Sequence, residues 1–149
     1  MRLVYQLSEE LKNDPQQVAL AQALTLDSSR PEMGLRGTYG LFGSLQWWKS
    51  IAEGTMPLRK ISGVVKRVYV AGQDLSEGEN AFDLLTSDNE TLAESFYANN
   101  ESDYCLFKVG HRVEIVYALD ELKSQPDPDG NVNVSEIVLE MAVSEVPIL

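Results

Sequence analysis

The stretch Leu58-Arg59-Lys60-Ile61-Ser62-Gly63-Val64-Val65-Lys66-Arg67-Val68-Tyr69-Val70-Ala71 decides the fold. Its apolar and polar residues exchange places with a period near two, and Val and Ile dominate. Both features fit a strand and not a helix, whose apolar stripe returns every three or four residues. Met56-Pro57 just ahead marks a break. Downstream the same texture recurs, and the chain reads as five strands at about 58–71, 80–86, 91–97, 111–119 and 134–143. The second and third are joined by Thr86-Ser87-Asp88-Asn89-Glu90, a turn-rich hairpin connection. The last two are separated by Pro126-Asp127-Pro128-Asp129-Gly130-Asn131, which admits neither helix nor central strand. Arg112 to Lys123 can also be drawn as a helix ending in Asp120-Glu121-Leu122. Val113, Ile115, Val116 and Tyr117 favour a strand, with a helical turn at its end.

Upstream, residues 1–56 read as mainly helical after a short first strand. Asp14-Pro15 is a helix start, because Asp offers a capping oxygen and Pro is tolerated at the first helical position. Val18, Ala21 and Leu24, flanked by Leu20 and Ala23, then form an apolar stripe. A loop follows from Asp27 to Gly43. Ser44 caps a second short helix, Leu45 to Glu53, which Gly54 ends. The expectation is an α+β protein forming a single domain over residues 1–149. Its helical and loop segment, 1–56, packs on a β part, 57–149, built as a small, five-stranded, mostly antiparallel barrel or curled sheet.

Three phrases carry a resemblance. Ile61-Ser62-Gly63-Val64-Val65-Lys66-Arg67-Val68 resembles the opening strand of an OB-fold. Phe107-Lys108-Val109-Gly110-His111-Arg112-Val113-Glu114-Ile115 is similar to the passage into its fourth strand, and Ile137-Val138-Leu139-Glu140-Met141 to its fifth. The resemblance covers about residues 58–143 and implies a small closed barrel of the kind that binds oligonucleotides or oligosaccharides. The chain departs from it between the third and fourth strands. There OB-folds often carry a helix, and Ala98-Asn99-Asn100-Glu101-Ser102-Asp103 reads as a polar loop. An SH3-like barrel or a partly open sheet fits the same pattern.

Composition excludes several classes. A hydrophobic share of 44% in 149 residues supplies a core and rules out a disordered tail. One cysteine, Cys105, leaves no internal disulfide and no multi-cysteine zinc site, and one histidine, His111, leaves no two-imidazole site. No run approaches the ~20 apolar residues of a membrane span. The start resembles no signal peptide, so the expected location is cytoplasmic. The net charge of −11 disfavours bulk binding to nucleic acid or to anionic membrane. That charge is uneven: −1 over residues 1–56, +4 over 57–72 and −14 over 73–149.

Each candidate site has a plainer competitor. Gly34, Gly37, Gly40 and Gly43 precede a helix, but no lysine stands before Ser44 as a P-loop requires. A loop folded on Leu35, Tyr39, Leu41 and Phe42 is the better reading. Cys105, His111 and Asp103 lie close in sequence without the ordered set that nucleophilic catalysis needs. Asp127 to Asn133 fails the spacing of a calcium loop. No catalytic residue, metal or cofactor is assigned. Trp47 and Trp48 point about 100° apart on a helix, so either one packs inward and the other reaches the surface as an anchor, or both are buried in one wide groove.

The preferred reading is non-enzymatic binding of a basic protein partner, of the inhibitor, antitoxin or immunity-protein kind. Trp47 or Trp48 would supply the anchor, and Asp74, Glu77, Glu79, Glu101 and Asp103 the electrostatic steering. The alternative is an OB-like module binding single-stranded nucleic acid or oligosaccharide. Its face would be Arg59, Lys60, Lys66 and Arg67, with Tyr69, Phe96 and Tyr97 for stacking. The plainer account of those four bases is pairing with downstream acids across neighbouring strands.

Overall fold

The alternation beginning at Leu58 folds as a single strand of 12 residues. The computed structural model describes residues 1–72, 78–123 and 132–148. In chain order its elements are β1 (Arg2–Gln6), α1 (Leu7–Asn13), α2 (Pro15–Leu26), α3 (Leu45–Ala52), β2 (Leu58–Tyr69), β3 (Ala81–Thr86), β4 (Thr91–Ser95), a 3₁₀ turn at Glu101–Leu106, β5 (Arg112–Glu121) and β6 (Val134–Val143). The strands form one curled antiparallel sheet in the order β1-β6-β5-β2-β3-β4. Arg2 pairs with Val143, Val64 with Leu85, and Leu84 with Leu92. β5 lies antiparallel to β2, the Val65 amide donating to the His111 carbonyl and the Leu119 amide to the Pro57 carbonyl, each at 2.9 Å.

The α+β reading with a small curled sheet holds, with three corrections. The sheet has six strands and not five, because the short first strand joins it beside β6. Residues 112–121 are strand throughout, and no helical turn forms at their end. There the Glu121 carbonyl accepts from the Arg36 amide at 2.8 Å, which keeps the backbone extended. The polar segment before β5 is not all loop: Asn100 caps the 3₁₀ turn, its side chain accepting from the Ser102 amide. The helix α1 goes beyond what the apolar pattern announced.

The described chain divides into two compact units, one of Met1–Leu7, Lys60–Val116 and Leu139–Leu149, the other of Ser8–Arg59 and Tyr117–Val138. The first has an aromatic core. Phe96 stacks on Phe107 with centroids 4.6 Å apart, and Phe107 on Phe82 at 5.4 Å. Val65, Leu84, Val113, Met141 and Val143 are buried with them. Gly63 permits the close approach of β2 and β3, since a Cβ there would strike the Leu85 carbonyl. The outer side of β1 is taken up by Asn99. Its amide donates to the Val4 carbonyl at 2.9 Å, and its side chain accepts from the Gln6 amide at 2.8 Å and donates to the Gln6 carbonyl at 3.1 Å.

In the second unit, Asp14 accepts from the Gln17 amide and Pro15 opens α2, as its sequence signals. Ser44 accepts from the Trp47 amide at the head of α3. The glycine loop between the two helices folds back on α2. Gly34, Gly37, Gly40 and Gly43 all have positive φ, from +75° to +101°, a region that side chains other than hydrogen resist. The Cβ positions at Gly34 and Gly43 already face Leu24 and Val18. Lys123 ties this loop down, its ammonium donating to the carbonyls of Leu24, Asp27 and Arg30 at 2.5, 3.2 and 3.1 Å.

Candidate functional site

The acidic half begins to act as a surface at β3. From Gly78 to Phe107 the chain carries seven acids and no lysine or arginine. This stretch contains β3, the Thr86–Glu90 turn, β4 and the 3₁₀ turn. Two of the seven are bridged from outside it: Asp83 by Arg67 at 3.8 Å and Asp103 by Arg2 at 3.1 Å. Glu79, Asp88, Glu90 and Glu101 are exposed and make no ion pair among the described residues. Charges left without a counter-ion set the long-range field of a surface. Of the acids that sequence singled out, Glu79, Glu101 and Asp103 belong to this unit, with Asp103 held in its bridge. Asp74 and Glu77 lie outside the described residues, as does the Asp127–Asn131 turn. Asp88 and Glu90 were not singled out, although the base-free run that contains them was there to be counted.

The two tryptophans belong to the other unit and divide between interior and surface. Trp47 is fully buried, with its ring edge-on to Phe42 at 4.9 Å. Its Nε1 donates to Asp120 Oδ2 at 2.8 Å. This placement gives Trp47 to the interior and leaves Trp48, half-buried and edge-on to it, as the one with surface to offer. Beside Trp48 on the helix stand Leu45, 91% exposed, and Ala52, three residues before it and four after it on one face.

Asp120 is the most unusual polar group of this unit. It is completely buried, and its Oδ1 has no hydrogen-bond partner among the described residues. Burial pushes its carboxyl above the ordinary 3.8, against the pull of the Trp47 hydrogen bond. Neighbouring Glu121 is well served: Thr38 Oγ1 donates to it at 3.0 Å, Tyr39 Oη at 3.4 Å, and Arg36 stands 4.0 Å away. The cluster fixes the glycine loop to the end of β5.

Two of the four bases of the basic strand are paired with acids. Arg59 bridges Glu136 at 2.8 Å. Arg67 bridges Asp83 and lies 4.2 Å over the Tyr69 ring, whose hydroxyl donates to the same Asp83 at 3.1 Å. Phe96 is spent in the Phe82–Phe107 stack, and Tyr97 packs on Tyr5 at 5.1 Å. Lys60 and Lys66 are exposed, and Lys60 lines a groove of about 430 Å³ that Glu114 also lines. Ion pairs take up Arg59 and Arg67 and packing takes up the rings of Phe96 and Tyr97, while Lys60 and Lys66 stay exposed.

Cys105 and His111 likewise have local partners. The thiol donates to the Ser102 carbonyl at 3.1 Å, and the buried imidazole Nδ1 lies 2.7 Å from the Ser144 carbonyl, so that nitrogen carries the proton. Among the described residues no three His, Cys, Asp or Glu side chains are placed to hold a metal ion, and no helix is long and apolar enough to cross a membrane.

Residues 1–144 match the protein family described as Immunity protein RhsI2. The chain belongs to this family. The RhsI2 match runs through both compact units, from β1 to the end of β6. It supports a non-enzymatic, protein-binding immunity function and does not favour the nucleic-acid alternative. Comparison with curated proteins returned no match.

Proposed function

We propose that the protein neutralises a toxin by binding it through the acidic surface of residues 78–103, and that the toxin's contacting surface is basic. The observation that carries this reading is the base-free run in which Glu79, Asp88, Glu90 and Glu101 stand exposed, without counter-ions among the described residues. A toxin that handles nucleic acid needs a positive cleft to hold phosphate. A fixed anionic surface is attracted to such a cleft from a distance, speeds encounter and competes with the polyanion. Membership of the RhsI2 family supports an inhibitor-type role without chemistry of its own. Such a role places the protein in the compartment where the toxin acts, which we take to be the cytoplasm.

Trp48, with Leu45 beside it, is a second contact of a different kind, an apolar anchor in a chain that is otherwise strongly charged. Its truncation slows nothing at long range and acts on dissociation, whereas the acids act on association.

The test uses the toxin recovered by pull-down with the wild-type chain, purified as an inactive variant, with binding kinetics measured at low and moderate salt. The triple variant E79K/E90K/E101K is expected to lower the association rate at least tenfold at low salt and to flatten its salt dependence. Absence of binding by the wild-type chain, or a triple variant with unchanged association, refutes the proposal.

A further inference from the structure

We infer that the outer edge of β4 is the strand on which an extended, basic segment of the toxin pairs as an added strand. This deepens the toxin-binding reading above and rests on it. β4 ends the sheet order and pairs only with β3. The Phe96 amide donates to the Asn80 carbonyl, and the Thr86 amide to the Glu90 carbonyl, each at 2.8 Å. Hydrogen-bonded pairs alternate in an antiparallel ladder. Leu92 and Glu94 therefore turn their backbone groups to β3, and Thr91, Ala93 and Ser95 turn theirs outward. The Ser95 amide is held by the Glu94 carboxylate at 2.9 Å. The amides of Thr91 and Ala93 have no partner among the described residues.

Natural sheets blunt a free edge with lysine, proline, a bulge or a covering loop. At the opposite end of this sheet that is done: β1 carries a register shift at Leu3/Tyr5, and Asn99 occupies its outer side. Among the described residues β4 has no lysine, proline, bulge or covering loop. Its register with β3 runs unbroken, and the outward residues Thr91, Ala93 and Ser95 are small, uncharged and exposed. On the same face a hollow of about 210 Å³ is lined by Tyr69, Ala71, Ala81 and Ala93, room for a side chain of an incoming strand.

Charge selects the occupant. Asp88 and Glu90 flank one end of the edge, and Glu79 lies next to Asn80, which pairs at the other. A second copy of the chain would bring a net charge of −11 and these same acids against them. A lysine- or arginine-bearing strand meets the opposite sign with main-chain donors and acceptors already aligned.

The test is A93P together with A93K, measured against the inactive toxin used above. The Ala93 amide takes no part in the ladder, so proline removes an outward donor and leaves the pairing to β3 intact. Lysine there keeps the donor and adds repulsion. Both variants, checked for wild-type circular dichroism, are expected to bind at least tenfold more weakly. In the wild-type complex, hydrogen exchange at Thr91 and Ala93 is expected to slow. Should A93P not fold, A93K and the exchange measurement decide. Wild-type affinity in the folded variants with unchanged exchange in β4 overturns this inference alone. A wild-type chain that binds no toxin overturns the underlying reading with it. A wild-type dimer that A93P converts to monomer assigns the edge to a second copy and also overturns the inference.

Discussion

Replacing Trp47 by phenylalanine keeps an aromatic ring in the core and removes one donor. Nε1 of Trp47 donates to Asp120 Oδ2 at 2.8 Å, inside a site where both residues are fully buried. The other carboxylate oxygen already lacks a partner, so the substitution strips Asp120 of its one side-chain donor among the described residues. Loss of a hydrogen bond to a charged group costs about 1.5–3 kcal/mol. The indole exceeds the phenyl ring by roughly 40 Å³, and unfilled core volume costs about 24 cal/mol per Å³, which adds roughly 1 kcal/mol. The expected loss at pH 8 is about 3 kcal/mol, read as a lowered urea midpoint with unchanged slope. Because burial raises the Asp120 carboxyl above 3.8 in the folded state, the native protein holds that proton more tightly than the unfolded chain. The stability this group contributes is therefore fully present below 3.8 and is lost as pH rises through its folded value. Removing the donor raises that value further, so the deficit of W47F should shrink when the measurement is repeated at mildly acid pH. In D120N, which stays neutral, the decline disappears, and W47F added to it should cost less than it does alone. A deficit under 1 kcal/mol at pH 8, or one that D120N leaves unchanged, refutes the reasoning.

Two further outcomes follow from contacts distant in sequence. N99A removes the paired side-chain bonds to Gln6 and should cost about 2 kcal/mol at ~1 kcal/mol per bond, with hydrogen exchange rising first in β1; protection of β1 equal to wild type would contradict it. K123A withdraws the ammonium from three carbonyls at the end of α2 and in the loop after it. It should lower stability by about 1–2 kcal/mol, and a melting temperature within error of wild type would count against that assignment.

Much of this fold was legible because its strands are written in a period that nothing else uses. The expected 80–86 and 134–143 meet observed strands at Ala81–Thr86 and Val134–Val143. The cap at Asp14-Pro15 is local chemistry and was read directly. What escaped depends on partners far along the chain. That β1 lies beside β6 is set by Arg2 meeting Val143, and no window of sequence contains both. The same holds for the candidate site. The charge map was countable, but which acids remain unneutralised was not, because Asp103 is bridged by Arg2 and Asp83 by Arg67. Helical geometry left open whether Trp47 and Trp48 part company or share one groove. Only the position of Asp120, 73 residues on, shows which of the two turned inward.

The pairing of β1 with β6 also sets a timetable. A strand at residues 2–6 finds its neighbour only after residues 140–143 have been made, so β1 waits for a partner far along the chain. Contacts of such long separation slow folding, and a nascent chain that stops short leaves β1 without its neighbour. For an immunity protein this means that protection lags behind synthesis.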